Sequence, residues 1–296
     1  MKINPSEVKT AKLHGYLLSA VAPRPIAFAS SIDKDGKPNL SPYSFFNAFG
    51  ANPPTLIFSP ARRVRDNTIK HTLENVYEVP EVVINVVSYS MVQQMSLAST
   101  EYAKGVSEFE KSGFTPIQSE FVKPFRVKES PVQLECKVKE IIETGTEGGA
   151  GNLIICEVLL MHIDDSILDE NERIDQHKID LVSRMGGNWY CRATGDALFE
   201  VEKPISNKGI GVDQIPAEIR NSKILTGNNL GQLGNVEQLP SKSEIETIKK
   251  EKEIESLISK FKEGEIPEEK LHLAAKSFLE KNDANNAWKA LLLNQS

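Results

Sequence analysis

Three arginines stand close together in the segment Arg62–Thr68, in a chain whose formal net charge is -6. Guanidinium groups donate paired, charge-assisted hydrogen bonds to phosphate oxygens. The segment ends in Asp66, Asn67 and Thr68, a pattern typical of a helix N-terminus, where free backbone N–H groups favour an anion. A solvated loop in which Asp66 only caps a helix explains these residues equally well. The segment alone therefore predicts either a phosphate site or a simple helix start.

The segment Ser41–Asn47 combines hydroxyl side chains with aromatic ones shortly after a predicted turn. Hydroxyl and backbone N–H donors suit an anionic ligand, whereas apolar walls suit a flat aromatic one. Composition alone favours a plainer interpretation, an ordinary strand with exposed serines and buried phenylalanines.

A third segment, Arg184–Tyr190, contains paired glycines followed by Trp189 and Tyr190. Glycine permits a close backbone approach, and aromatic side chains can cover a ring system. Taken singly, the segment favours a loop that is held in place by its aromatic residues.

Sequence motifs for other common chemistries are missing. The sequence has no GxxxxGK[ST] or GxSxG motif, and its five histidines lack the spacing of metal ligands. Gly209–Gly211 begins like a dinucleotide fingerprint, but Gln214 stands where the third glycine is required. Cys136, Cys156 and Cys191 form neither a zinc motif nor a disulfide framework. Such a chain is expected to bind no metal and to depend on a cofactor with its own reactivity.

The charge balance and the apolar runs exclude two classes of partner. The chain has 35 Lys and Arg against 41 Asp and Glu, whereas nucleic-acid binders need a basic surface. No apolar run reaches the length of a membrane span, and the first residues lack the apolar core of a signal peptide. With its sparse cysteines, the chain is predicted to be cytoplasmic and to bind neither nucleic acid nor membrane.

Strand patterns dominate the first two thirds of the chain. Val132–Thr144 and Leu153–Asp164 flank a glycine-rich tip, and their alternating polarity predicts a long antiparallel hairpin. The shorter predicted strands are Ile26–Ser31, Thr55–Ser59 and Val82–Ser88. Helices are predicted after an N-cap at Asp66–Thr68 and over Met91–Ser99. Because helices and strands do not alternate regularly, a barrel or sandwich is favoured.

The composition changes after about residue 205. The next 35 or so residues are rich in glycine and asparagine, which predicts an irregular segment. Helical spacing follows, with a capping box at Ser241–Glu244, a stop at Gly264 and a second helix opened by Pro267. The apolar stripes of these helices predict internal packing rather than a ligand site. The predicted domains are a barrel at 1–205, a linker at 206–240 and a helical extension at 241–296.

The order and spacing of several motifs resemble the flavin reductase-like, FMN-binding family, which includes flavoredoxin-like proteins. The resemblance covers roughly residues 10–205. The segments that carry it are Ala22–Ser31, Asp35–Asn47, Asn52–Pro54, Pro131–Cys136 and Arg184–Gly187. It implies a mainly β fold, an FMN-binding split β-barrel with peripheral helices, to which the C-terminal helical extension is added.

The resemblance also implies a homodimer with FMN at the subunit interface, and NADH or NADPH as the co-substrate. The two serines of the first strand would lie beside the isoalloxazine, the next segment would contact the flavin and its ribityl chain, and the arginine loop would hold the phosphate. No catalytic side chain is implied. The implied cofactor-binding residues are Ser30, Ser31, Ser44, Phe45, Phe46, Asn47, Arg62, Arg63 and Thr68.

The predicted function is that of an FMN-dependent oxidoreductase of the NAD(P)H:flavin reductase type, in which hydride passes to flavin N5. The alternative is an FMN-holding carrier that exchanges electrons with a redox partner protein. A third hypothesis is a scaffold whose helical tail binds a partner. The sequence leaves all three open.

Overall fold

The computed structural model describes residues 1–201, 203–204, 208–260 and 266–295. The chain forms two compact units, Met1–Phe199 and Glu200–Ser296. The predicted helix stop at Gly264 lies outside the described residues. Within the described part of the chain, no helix is both long and apolar enough to cross a membrane.

The first unit contains eleven strands and four α-helices in its described residues. The strands are β1 (Ala27–Ile32), β2 (Pro38–Tyr43), β3 (Phe46–Ala51), β4 (Pro54–Phe58), β5 (Glu81–Asn85), β6 (Pro116–Ile117), β7 (Arg126–Val127), β8 (Val132–Glu143), β9 (Asn152–Ile163), β10 (Val182–Arg184) and β11 (Tyr190–Arg192). The helices are α1 (Thr10–Ala20), α2 (His71–Glu78), α3 (Val92–Leu97) and α4 (Glu108–Ser112).

Seven strands form one antiparallel sheet in the order β2-β1-β5-β8-β9-β4-β3. Strands β2 and β3 are its two opposite edges, yet only Ser44 and Phe45 separate them along the chain. Two residues span only about 7 Å, so the sheet must curve until its edges meet. We call this junction the seam of the barrel.

The long hairpin was predicted correctly, because β8 and β9 pair along their lengths with two register shifts. Strand β1 is buried on both faces. Its Ala27 and Ala29 pack into the core that contains Val82 and Ile84, whereas Phe28 packs against a second core beneath α3 and α4. Continuous burial explains why this strand reads as an unbroken small and apolar run.

The arginine segment does not start a helix where the sequence predicted one. Helix α2 begins at His71, and its N-cap is Lys70. Asp66 instead accepts a hydrogen bond from the Thr68 N–H at 3.1 Å, and Asn67 has a φ of 59°. A left-handed residue interrupts the helical path, so the segment forms a tight loop before the helix.

The second unit is helical in its described residues. Its helices are α5 (Ala217–Arg220), α6 (Gly227–Gly234), α7 (Lys242–Thr247), α8 (Lys252–Lys260), α9 (Glu268–Leu279) and α10 (Ala284–Leu291). The capping box at Ser241 and Glu244 and the second helix after Pro267 were predicted correctly. The buried stripes include Ile245, Leu271 and Trp288, so the packing prediction is also confirmed.

The segment 206–240, predicted to be an irregular linker, contains α5 and α6 in its described part. Ile219 and Leu233 from these helices are buried in the core of the second unit. The indole N–H of Trp288 donates to the Leu233 carbonyl at 2.9 Å. The glycine and asparagine content wrongly predicted an irregular segment. Asn229 instead forms a capping box with Thr226 at the start of α6.

Candidate functional site

A cleft of about 520 Å³ opens beside the barrel seam. This volume lies within the range of roughly 300–1,000 Å³ that is usual for small-molecule and cofactor sites. Residues from α1, β2, the seam, α3, β10 and β11 meet there. The lining residues are His14, Ile26, Pro42, Ser44, Lys70, Met95, Ser96, Ser99, Arg184, Asn188 and Tyr190.

A smaller depression adjoins the cleft and shares Lys70 and Ser99 with it. We call this depression the basic end. Its other lining residues are Asn39, Ser41, Tyr43, Arg63, His71, Thr100, Glu101, Tyr102 and Glu108. The arginine loop and the Ser41–Asn47 segment therefore contribute to one continuous surface.

Helix α2 begins at the basic end. Its N-cap residue, Lys70, makes no side-chain capping hydrogen bond. The first backbone N–H groups of a helix lack partners inside the helix and carry partial positive charge. Lys70, Arg63 and this helix start together form a surface suited to an anion. Burial lowers the pKa of Lys70, with a further lowering by Arg63.

Glu101 connects the cations of the basic end. Its carboxylate contacts Arg63 Nε at 2.8 Å and Arg65 Nη2 at 3.0 Å, and Lys70 Nζ lies 3.6 Å away. Hydrogen bonds from Arg63 and then Arg65 lower the pKa of Glu101 to about 2. The basic end is thus partly neutralised by a carboxylate of the same chain.

Another part of the cleft, which we call the aromatic end, comes from the Arg184–Tyr190 turn. The Arg184 guanidinium lies 4.6 Å from the centre of the Tyr190 ring and donates to the Gly187 carbonyl at 2.8 Å. Gly186 packs against Ser19 of α1 so closely that a Cβ would overlap that side chain. The paired glycines therefore permit the close approach that brings this turn beside α1.

Arg24 connects three segments around the cleft by hydrogen bonds. The side chain is buried, with the residue only 5% exposed. Its guanidinium donates to Ser44 Oγ at 3.3 Å, to the Met185 carbonyl at 2.9 Å, and to the Val21 carbonyl at 2.6 Å at the end of α1. Burial, followed by the nearby charge of Arg184, lowers the pKa of Arg24.

The structure places the predicted site residues Ser30 and Ser31 inside the protein rather than at the cleft. Both are fully buried in β1. Ser31 Oγ accepts a hydrogen bond from Asn75 Nδ2 at 3.1 Å, whereas Ser30 Oγ is buried without a partner. Neither hydroxyl offers a surface to a ligand in this conformation, which differs from the predicted position beside the flavin ring.

The predicted site residues at Ser44–Asn47, which we call the seam segment, do not all lie at the cleft. Ser44 lines the cleft. Phe45 does not line it, but its ring packs edge-on against the cleft residue His14 with centroids 6.1 Å apart. Phe46 and Asn47 continue into the edge strand β3 and line neither the cleft nor the basic end. The Asn47 side chain instead accepts from the Ala48 N–H at 2.8 Å.

Of the predicted phosphate holders, the structure brings only Arg63 to the lining of the basic end. Arg62 is engaged within its own loop, where it donates to Asn67 Oδ1 at 2.7 Å. The Thr68 hydroxyl accepts from Arg63 at 2.8 Å and donates to Asp66 at 2.6 Å. Arg62 and Thr68 were predicted to donate to a phosphate, but in the structure they donate to residues of their own loop.

Several cleft residues were missed as site residues by the sequence prediction. Lys70 lies two residues after the selected segment Arg62–Thr68. Its position just before an apolar helix pattern could have indicated it. The third candidate segment did supply Arg184, Asn188 and Tyr190, although composition favoured a plain loop. His14 and Ser99 carried no signal in the sequence, because their place in the cleft depends on tertiary packing.

Residues 19–178 match the family model described as the flavin reductase like domain. The chain belongs to the flavin reductase-like family. The matched range includes Ser44, Lys70 and the whole basic end, but stops before the aromatic end. Membership supports a flavin as the cofactor.

Similar proteins agree with this assignment. An uncharacterized protein of Aquifex aeolicus is 39% identical over 189 residues, which are 64% of this chain and 94% of that protein. The crystal structure of nitrilotriacetate monooxygenase component B from Bacillus cereus is 30% identical, with a TM-score of 0.63 over 68% of this chain and 98% of that chain. A flavin reductase structure with a split barrel domain from Shewanella frigidimarina is 26% identical, with a TM-score of 0.57 over 69% of this chain and 99% of that one. The fold of the first unit is therefore a flavin reductase-like split barrel, as the sequence predicted.

Proposed function

We propose that the protein is an FMN-dependent oxidoreductase that takes hydride from NADH or NADPH. The observation that carries the proposal is the cleft at the seam, whose basic end suits a phosphate and whose aromatic end suits a planar ring. A bound flavin would supply the electron-accepting chemistry.

The basic end supplies the donors for the FMN phosphate. Lys70 and Arg63 provide ionised donors, and the start of α2 adds backbone N–H groups of matching polarity. This assignment keeps Arg63 from the sequence prediction and adds Lys70 to it.

The rest of the cleft suits the uncharged parts of the cofactor. Ile26, Pro42 and Met95 provide apolar contacts, and Ser96 and Ser99 provide hydroxyl groups. Flat apolar surfaces favour a planar ring, and a few polar groups fix its orientation. The protein then acts by holding two planar reactants in contact, which lowers the entropic part of the barrier.

The test is an anaerobic titration of the FMN-loaded protein with NADH and, separately, with NADPH. The visible absorbance of the flavin is monitored during each titration. Rapid loss of the flavin absorbance supports the reductase. Stable binding of FMN that neither nucleotide reduces would instead favour the electron carrier, with a redox partner protein as its electron donor. Failure to bind FMN at all would refute both functions.

We also propose that the first unit forms a homodimer. Phe49 on the edge strand β3 is 64% exposed, and Leu159 and Met161 on β9 are also exposed. Exposed apolar side chains on the surface of the sheet, one of them on its unpaired edge strand β3, favour association with a second copy. Light scattering should give twice the chain mass, and Met161→Asp should shift the protein towards monomer, whereas Lys139→Asp on the hairpin should not. A monomeric wild-type protein would refute the dimer.

A further inference from the structure

The carboxylate of Glu101 lies where an anionic ligand would need to be. Its oxygens contact Arg63 at 2.8 Å and Arg65 at 3.0 Å, with Lys70 Nζ at 3.6 Å. A carboxylate and a phosphate group compete for the same guanidinium and ammonium donors. The basic end therefore already contains an anion that belongs to the chain itself.

Building on the proposed function, we propose that Glu101 lowers the preference of the site for FMN over riboflavin. Its carboxylate occupies the cations that the FMN phosphate must reach. Like charges that share one site repel each other, so Glu101 weakens the binding of FMN. Riboflavin carries no phosphate, so its affinity does not depend on Glu101.

The other contacts of Arg63 indicate that Glu101 competes with a phosphate for Arg63 and is not needed to position it. One of its terminal nitrogens donates to Thr68 Oγ1 at 2.8 Å and to the Ile69 carbonyl at 2.7 Å. These two bonds hold the guanidinium in place without Glu101. Lys70 Nζ forms an ion pair with the carboxylate at 3.6 Å, longer than a normal hydrogen bond, so this contact is weaker than the one with Arg63.

Glu101 carries its negative charge at the neutral pH of the binding experiment. Its pKa is lowered to about 2 by the hydrogen bonds from Arg63 and Arg65, so the carboxylate is ionised at neutral pH. The side chain is also 42% exposed. It can turn towards solvent when a phosphate arrives, and dissolved salt screens its repulsion.

The experiment compares Glu101→Gln with Glu157→Gln in the full-length protein. Glu157 is a matched control, because it forms a 2.8 Å ion pair with Lys139 on the barrel hairpin, away from the lining of the cleft. Dissociation constants for FMN and for riboflavin are measured by flavin fluorescence at low and high salt. We expect Glu101→Gln to tighten FMN binding about fivefold at low salt and to leave riboflavin binding unchanged. High salt should reduce the difference, and the control variant should match the wild type.

A second variant, Glu101→Asp, keeps the charge and shortens its reach, and we expect an intermediate affinity for FMN. Weaker FMN binding in Glu101→Gln would overturn the inference, because it would mean that Glu101 orients the cations. An equal change for both flavins would overturn it as well. In both cases flavin still binds, so the proposed function stands. Binding of neither flavin by the wild-type protein would instead overturn the proposed function and the role of Glu101 together.

Discussion

The two ends of the cleft hold their cations in different ways. At the basic end, Arg63 is paired with Glu101 and with oxygen atoms of its own loop. At the aromatic end, Arg184 lies over the Tyr190 ring and bonds to a carbonyl. The first end should therefore discriminate by charge and the second by shape. FMN and riboflavin, which share a ring system but differ in the phosphate, separate these two kinds of recognition.

The largest effect is expected at Arg24, which hydrogen-bonds to the seam, to the end of α1 and to the Arg184–Tyr190 turn. Replacing Arg24 with Met leaves the Met185 and Val21 carbonyls without their buried donor. We expect the free energy of unfolding of the first unit to fall by about 1–3 kcal/mol, because the variant loses charged hydrogen bonds to partly buried carbonyls. Thermal unfolding measures this, and both flavins should bind more weakly. A variant as stable as the wild type would show that Arg24 does not hold these segments together.

Removal of the Lys70 charge should affect one end alone. We expect Lys70→Gln to weaken FMN binding about tenfold or more, since a hydrogen bond to a charged group contributes about 1.5–3 kcal/mol. Riboflavin affinity should stay the same. Lys139→Gln, which removes a lysine paired with Glu157, is the control. Equal losses for FMN and riboflavin would contradict a charge-selective end at Lys70.

Removal of the Tyr190 ring should affect both flavins equally. We expect Tyr190→Ala to weaken FMN and riboflavin about fivefold each, because an aromatic contact contributes about 0.5–1.5 kcal/mol. Fluorescence titration gives both values. Phe199→Ala serves as the control, because Phe199 is 81% exposed and does not line the cleft. A loss confined to FMN would mean that this end recognises the phosphate.

The smallest effect is expected at Arg62. Its guanidinium donates to the Asn67 side chain at 2.7 Å and to the Asn67 carbonyl at 3.1 Å, and it does not line the basic end. We expect Arg62→Gln to change FMN affinity less than about twofold, as surface substitutions away from a ligand usually do. A loss as large as that of Lys70→Gln would return Arg62 to the phosphate site that the sequence implied.

The parts of the fold with local signals were predictable. Alternating polarity defined the β8–β9 hairpin, and helical spacing defined the buried stripes of α9 and α10. The candidate helix at Met91–Ser99 was also found, as α3. Helix α2 was placed too early, because capping residues have the same composition in a tight loop. The short helices α5 and α6 were missed because glycine and asparagine are typical of both caps and loops.

The site was predictable in its location but less so in its residues. The convergence of the arginine loop and the seam segment followed from the resemblance. The orientation of Ser30 and Ser31 did not, because β1 is buried on both faces and its composition does not show which face meets a ligand. The aromatic end depends on a bridge between Arg24 and Arg184, which are 160 positions apart, and no local pattern shows such a contact.

The two-residue connection between β2 and β3 couples the cleft to the closure of the sheet. Those strands are the sheet margins, and Ser44 stands both in their link and in the cleft wall. A ligand that contacts Ser44 therefore restrains the link between the two margins. Amide hydrogens of β2 and β3 next to this link should exchange with solvent more slowly once a ligand is bound, while those of the central strands β5 and β8 keep their rates.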